Sequence, residues 1–194
     1  MLGVLLCGGL STRMGSDKGL LKLQETTWAQ TAVDKLNSFQ LPVVISINKL
    51  QKDSYSSLFP DNELITDNDY LELQGPLCGV LSVHLKYPND DLFILACDMP
   101  LMETDLLKEL ILQYNHEKSF DAFVYSNDGQ PEPLCGIYKS SGLAHVFHLY
   151  QTNQLLKHSM KFMLDHIATR TIGLPDDKKN CFRNFNAHAE LNGL

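Results

Sequence analysis

The chain has 194 residues, 44% hydrophobic and 20% charged, with sixteen Lys and Arg against twenty-three Asp and Glu, a net charge of −7. At about 100–200 residues per domain this is a single domain with enough chain for a core, and its ordinary composition excludes wholesale disorder. The acidic balance argues against nucleic acid as a partner, because such binding needs a basic stripe, and there is no apolar run of about 18 residues to span a membrane.

The first ten residues are nearly all apolar, yet no basic segment precedes them and the run breaks at Gly8-Gly9 before meeting Arg13, Asp17 and Lys18. That is not the pattern of a secretory leader, so a cytoplasmic protein is expected. Five cysteines, Cys7, Cys78, Cys97, Cys135 and Cys181, are odd in number and contain no C-x-x-C pair. They suggest small core residues rather than a disulfide framework or a zinc site.

In chain order, Leu2–Leu6 is a short apolar run ended by glycine, the pattern of a buried strand leading into a loop. Trp28, Ala29, Ala32, Val33, Leu36 and Phe39 recur at helical spacing and predict a helix over 27–38. Strands follow over 42–47 and 63–66, and a helix over 75–87 opens with Gly-Pro. The run 92–96 is the most strand-like of all, and Leu106, Leu107, Leu110, Ile111 and Tyr114 mark a helix capped by Thr104. Strands over 121–125 and 132–138 flank the turn Asn127-Asp128-Gly129. Leu155, Leu156, Ser159, Met163, Leu164 and Ile167 predict one more helix, and 169–174 a last strand.

Strand and helix alternating in this way predict an α/β fold, a Rossmann-like three-layer arrangement with a mostly parallel central sheet. Ligands in such folds bind at the carboxyl ends of the strands. The segments after Leu6, Ile47, Thr66 and Ala96 are therefore where chemistry is expected.

After the first strand, residues 6–21 combine glycines at 8, 9, 15 and 19, hydroxyls at 11, 12 and 16, and the cations Arg13 and Lys18. Gly8 and Gly9 leave backbone N–H groups open to an anion or a purine edge. Arg13 offers a planar fork to phosphate and Lys18 a point charge. The spacing fits neither the Walker A loop nor G-x-G-x-x-G, which excludes the common P-loop enzymes and dinucleotide folds. A flexible Gly/Ser surface loop is the plainer alternative.

Asp98 follows the most strand-like run and precedes Met99-Pro100. One carboxylate beside a phosphate site suits hydrated Mg²⁺, which takes its other ligands from phosphate and water. A helix N-cap is the competing use, although Thr104 stands better for that. Asp67 and Asn48 end their strands too, and each is as easily a solvated loop residue. His145, His148, His158 and His166 fall on predicted helices without a carboxylate partner pattern, Met160 and Met163 are expected to fill the core, and Lys178-Lys179 to be a solvated loop pair. No nucleophile-and-base set for acyl transfer is visible.

Taken together, Leu6-Cys7-Gly8-Gly9, Ser11, Arg13-Met14-Gly15 and Asp17-Lys18 resemble the opening signature of the molybdenum cofactor guanylyltransferases. Gly75-Pro76-Leu77-Cys78-Gly79, Cys97-Asp98-Met99-Pro100, the run 132–138 and Asn184-Phe185-Asn186 follow in that family's order, so the resemblance spans nearly the whole chain. It implies one nucleotidyltransferase domain over 1–194, with a nucleotide half of about 1–100 and a pterin-acceptor half of about 101–194. The implied reaction moves GMP from GTP to the terminal phosphate of molybdopterin with Mg²⁺ and releases pyrophosphate.

By the same resemblance Leu6, Cys7, Gly8 and Gly9 form the nucleotide loop, Arg13 and Lys18 contact phosphate, and Asn48, Asp67 and Gly79 lie on the GTP side. Asp98 is the implied metal ligand, and Asn184 and Asn186 face the pterin. Implied partners are transient ones, molybdenum cofactor biosynthesis proteins or apo-molybdoenzymes, with the chain itself a monomer or weak homo-oligomer. The family usually has Ala where Cys7 and Cys78 stand, and commonly runs Thr-Pro-Glu-Asp-Leu where this chain has 187–191. Sister cytidylyltransferases usually lack Gly8 and the Gly-Pro-Leu-x-Gly turn, so guanine is the expected base. A cytidylyltransferase, a sugar-1-phosphate nucleotidyltransferase and a non-catalytic nucleotide-binding module remain the alternatives.

Overall fold

The computed structural model describes residues 1–8, 17–23 and 25–183. In chain order the elements are β1 (Leu2–Leu6), a hairpin of β2 (Lys22–Leu23) and β3 (Thr26–Thr27), α1 (Trp28–Asn37), β4 (Val43–Ile47), α2 (Lys52–Ser56), β5 (Leu64–Thr66), α3 (Pro76–Lys86) and β6 (Leu92–Ala96). Then come α4 (Thr104–His116), β7 (Ala122–Asn127), β8 (Gln130–Tyr138), α5 (Ser140–Gln151), α6 (Met160–Leu164) and β9 (Thr169–Gly173).

Seven strands form one sheet in the order β5-β4-β1-β6-β8-β7-β9. The pairs β5/β4, β4/β1, β1/β6 and β7/β9 are parallel, and β8 alone runs against its two neighbours. The chain winds from β1 outward through β4 to β5, then returns to place β6 on the other flank of β1. The gap between β1 and β6 is thus a switch point, where loops leave the strands in opposite senses and open a crevice.

Alternation along the buried strands divides the core into two layers, as a period of two requires. Leu5, Ile45, Ile47, Phe93 and Leu95 pack with Val33 and Leu36 of α1 and Leu107 and Leu110 of α4 on one face. Val4, Leu6, Val44 and Ile94 pack with Leu77, Val80 and Leu81 of α3 and Val146 of α5 on the other. All five cysteines are buried free thiols, as their apolar neighbours imply.

Four local expectations are corrected. The apolar residues expected to make a helix from 155 to 167 do so only over Met160–Leu164, where Ser159 caps Phe162 N–H, and Leu156 stands 81% exposed. Of the four histidines expected on helices, only His145 and His148 lie on one, in α5. Thr104 is the first residue of α4 rather than its cap; Glu103 holds that position without capping the helix and bonds Lys178 Nζ at 2.6 Å instead. Lys178 and Lys179 lie in a 3-10 segment, Asp176–Phe182, and pair with Glu103 and Asp128. The 3-10 turn Lys49–Gln51 and α2, both too polar to show a period, were also not anticipated.

Candidate functional site

Beyond the ends of β1, β4 and β5 the strands continue to exchange hydrogen bonds, which fixes where each exit residue stands. Cys7 and Gly8 N–H both donate to the Ser46 carbonyl, at 2.9 and 3.0 Å, and Asp67 N–H donates to the Ile47 carbonyl at 3.0 Å. Gly8, Asn48, Lys49, Leu50, Asp67, Leu73, Gln74, Gly75 and Cys78 then line an open cavity of about 510 Å³. A side chain at residue 8 would project toward Asn48 N and the Asp67 carboxylate, each within 3.8 Å of its Cβ, so glycine there keeps the cavity floor clear.

Asp67 Oδ1 is buried without a hydrogen-bond partner among the described residues, and burial pushes the carboxyl above the usual range. An acceptor left in this condition at a cavity wall is suited to a ligand donor. Asn48 also lines the cavity, but its Oδ1 is engaged by Leu50 and Gln51 N–H at 2.9 and 3.2 Å, capping the turn that follows β4. Gly79 lies one layer lower, where a Cβ would come within 2.5 Å of Ser46 Oγ and 3.6 Å of Asp67 Oδ1. It lets α3 close on the sheet beneath Asp67.

On the other side of β1 the crevice brings two expected residues together. Lys18 Nζ lies 3.3 Å from Asp98 Oδ2, with about a fifth of each side chain exposed. Cys97 N–H donates to the Leu6 carbonyl at 3.1 Å, so Asp98 leaves the sheet directly beside the exit of β1. Lys35 of α1 braces the same loop by donating to the Pro100 carbonyl at 2.9 Å, and burial lowers its pKa. Asp98 Oδ1 is buried without a hydrogen-bond partner among the described residues.

Two residues not expected in the site, Gln51 and Tyr55, hold it in shape. Gln51 Nε2 donates to the Cys7 carbonyl at 2.9 Å and to Asp17 Oδ2, while its Oε1 accepts Asn48 N–H at 2.8 Å. One carboxamide therefore ties the exits of β1 and β4 to the residue before Lys18. Tyr55 Oη donates to Asp17 Oδ1 at 3.0 Å, and Gly19 N–H donates to the same oxygen at 2.9 Å. Burial holds the Tyr55 hydroxyl in its protonated, donating form. The pattern Asn48-x-x-Gln51 is a capping-box signature and was the available signal.

Gly9, Arg13, Asn184 and Asn186 lie outside the described residues. The other candidates fall into two groups along one sheet edge: Cys7, Gly8, Asn48 and Asp67 around the cavity with Gly79 beneath, and Lys18 with Asp98 at the switch point. Leu6, buried under both, contributes its carbonyl to Cys97. Among the described residues no cluster of three His, Cys, Asp or Glu could hold a metal by itself. Asp98 supplies one free carboxylate oxygen, which suits a hard cation that takes its remaining ligands from phosphate and water.

The chain is similar to known proteins in both sequence and fold. The family described as MobA-like NTP transferase domain matches residues 3–168. A protein of Campylobacter jejuni strain RM1221 named "Molybdenum cofactor guanylyltransferase" is 31% identical, covering 96% of this chain and 91% of that protein. One of Geobacillus sp. strain WCH70, named "Probable molybdenum cofactor guanylyltransferase", is 29% identical over 100% of this chain and 97% of its own. The fold matches the crystal structure of Molybdopterin-guanine dinucleotide biosynthesis protein A from Archaeoglobus fulgidus with a TM-score of 0.79 at 21% identity, covering 100% and 96% of the two chains.

Proposed function

Because the chain belongs to the MobA-like NTP transferase family, we propose that it transfers GMP from GTP to the terminal phosphate of molybdopterin, forming molybdopterin guanine dinucleotide and pyrophosphate. The observation that carries this is the meeting of Lys18 and Asp98 at the switch point, beside a cavity of nucleoside size. Supporting it are relatives about 30% identical along nearly the whole chain that bear the guanylyltransferase name.

In this mechanism the cavity takes the guanosine end of GTP, with Gly8, Asn48 and Asp67 at its wall, and the triphosphate extends across β1 toward Lys18. The acceptor is a phosphate monoester whose second pKa is about 6, so at neutral pH it is already largely a dianion. It needs no general base, which accords with a site built of cations and backbone rather than a histidine. An oxygen of that dianion attacks the α-phosphorus of GTP; the new P–O bond forms as the bond to the β-phosphate bridge breaks, and pyrophosphate leaves with the electron pair. Lys18, and by the family resemblance Arg13, neutralises the charge that gathers on the leaving group, and Gln51, Tyr55 and Asp17 keep Lys18 in place. Asp98 would hold Mg²⁺ together with triphosphate oxygens, and the ion would supply further charge neutralisation.

The nucleotide half is assigned to about 1–100 and the acceptor half to about 101–194. The chain would act in the cytoplasm as a monomer or weak homo-oligomer and meet molybdenum cofactor biosynthesis proteins or apo-molybdoenzymes transiently; among the described residues no helix is long and apolar enough to cross a membrane. Incubation with molybdopterin, GTP and Mg²⁺, followed by chromatography, tests the reaction. Guanine dinucleotide in step with pyrophosphate is expected. Dinucleotide formed from CTP in preference to GTP would overturn the choice of base, and no dinucleotide from any nucleotide would overturn the reaction.

A further inference from the structure

The carboxyl edge of the sheet extends past Asp98 on the side away from the cavity. Because β8 runs antiparallel to β6 with Cys135 opposite Leu95, the first residues of β8 lie where β6 ends. The β7–β8 hairpin therefore brings Asn127 and Glu132 to the edge that carries Asp98, two strands from β1.

This hairpin is built rigidly. Pro131 and Pro133 fix the backbone on both sides of Glu132. The register shifts between Val124, opposite Gly136, and Tyr125, opposite Glu132. Such a bulge re-aims the side chains beside it. The buried Tyr138 hydroxyl braces the bulge by donating to the Pro133 carbonyl at 2.6 Å.

Two hydrogen-bond acceptors remain on this frame. Glu132 accepts a long bond from Asn127 Nδ2, 3.4 Å from its Oε1, and its half-buried carboxyl is pushed up by desolvation. Asn127 Oδ1 is buried and has no hydrogen-bond partner among the described residues. Lys161, whose charge acts on Glu132, has its Nζ 3.4 Å from Gln130 Oε1. A carboxylate and a carboxamide oxygen held together in this way call for a ligand rich in N–H donors.

We propose that Glu132 and Asn127 form the subsite that recognises the 2-amino-4-oxopyrimidine edge of the pterin acceptor. That edge presents a ring N–H and an exocyclic amino N–H side by side, the donor pair a carboxylate accepts with its two oxygens. The second amino hydrogen is then available to Asn127 Oδ1. Guanine carries the same edge, but the cavity at Gly8 and Asp67 lies on the β1–β4–β5 flank and the hairpin on the opposite flank of Asp98. Two rings placed on either side would bring their phosphates together at the switch point. The assignment of the ring to the acceptor rests on the guanylyltransferase function proposed above.

The test combines direct binding with kinetics on the full chain. Binding of molybdopterin without nucleotide, followed by pterin fluorescence, is expected to weaken at least tenfold in Glu132→Gln and less in Asn127→Ala, with Glu132→Asp recovering part of the loss. In steady state, acceptor KM should rise by the same factor in Glu132→Gln while GTP KM stays within twofold and the melting temperature is unchanged. Unaltered molybdopterin binding in Glu132→Gln, or a parent chain that binds no molybdopterin, would overturn the subsite. A rise in GTP KM instead would assign Glu132 to guanine and overturn it equally. Glu132-dependent molybdopterin binding without any transfer would uphold the subsite and defeat the proposed reaction.

Discussion

Lys18 and Asp98, eighty residues apart in sequence, meet at 3.3 Å where β1 and β6 leave the sheet on opposite sides of the switch point. The cation there can neutralise triphosphate charge directly, and the carboxylate beside it would hold the Mg²⁺ that neutralises more. Lys18→Ala should lower the rate of guanine dinucleotide formation by about a hundredfold, the usual loss when one fixed charge-stabilising donor is removed. Circular dichroism should show the fold retained. A rate within twofold of the parent would remove Lys18 from the transfer step.

Gln51 is predicted to matter to both stability and turnover. Gln51→Leu leaves the Cys7 carbonyl, Asn48 N–H and Asp17 carboxylate each without the partner that the carboxamide provides. Unpaired buried polar groups cost about 1–3 kcal/mol each, so urea unfolding should show a loss of at least that size. Turnover should fall with GTP at saturation, because the segment carrying Lys18 loses its tie. Stability equal to the parent's would show that water replaces Gln51 at no cost.

Gly19 faces the hydroxyl of the fully buried Tyr55, and a Cβ there would lie 2.1 Å from it. Gly19→Ala must displace either the ring or the segment that holds Lys18, and should lower both melting temperature and rate. Tyr55→Phe removes the obstructing oxygen, at the cost of its bond to Asp17. The double variant should therefore be more stable than Gly19→Ala alone. A double variant no better than the single one would refute the steric explanation.

Asp67 should show a trade between stability and binding. Burial raises its folded-state pKa above 3.8, so folding favours the neutral acid. The stability this group contributes is fully present below pH 3.8 and is lost as pH rises through the folded pKa, because the ionised form bears the cost of desolvation. Asp67→Asn should thus be more stable than the parent at pH 7, with the advantage shrinking on acidification toward pH 4, while GTP affinity falls. Urea curves at the two pH values and a GTP titration at pH 7 check the pair of effects; a variant less stable at neutral pH would contradict the cause given for the raised pKa.

The sheet and its carboxyl edge were legible in the sequence because buried strands such as Leu2–Leu6 and Leu92–Ala96 are continuous apolar runs, and because glycine or aspartate follows where they end. Those exits place the loop that carries Lys18 and the residue Asp98 at one edge of the sheet. The helical spacing around 155–167 misled because Leu155 is a buried residue of a loop, and apolar spacing does not distinguish a loop that covers the core from a helix. Gln51 and Tyr55 stayed hidden because their segment is polar and without period, so their partners are set only by tertiary contact. Glu132 was visible as part of a motif, but its neighbour Asn127 read merely as a turn residue. The bulge that gives the pair its position depends on register, which no local pattern encodes.

The central claim is that transfer takes place at the crevice between β1 and β6, with Asp98 as the carboxylate that would hold Mg²⁺ there. Single-turnover reaction of α-³²P-labelled GTP with molybdopterin and Mg²⁺, in parent and Asp98→Asn preparations matched for melting temperature, tests it most directly. A fall in the rate of label transfer of at least a hundredfold, with the variant still binding GTP, is the predicted result. Transfer by Asp98→Asn at the parent's rate would contradict the account.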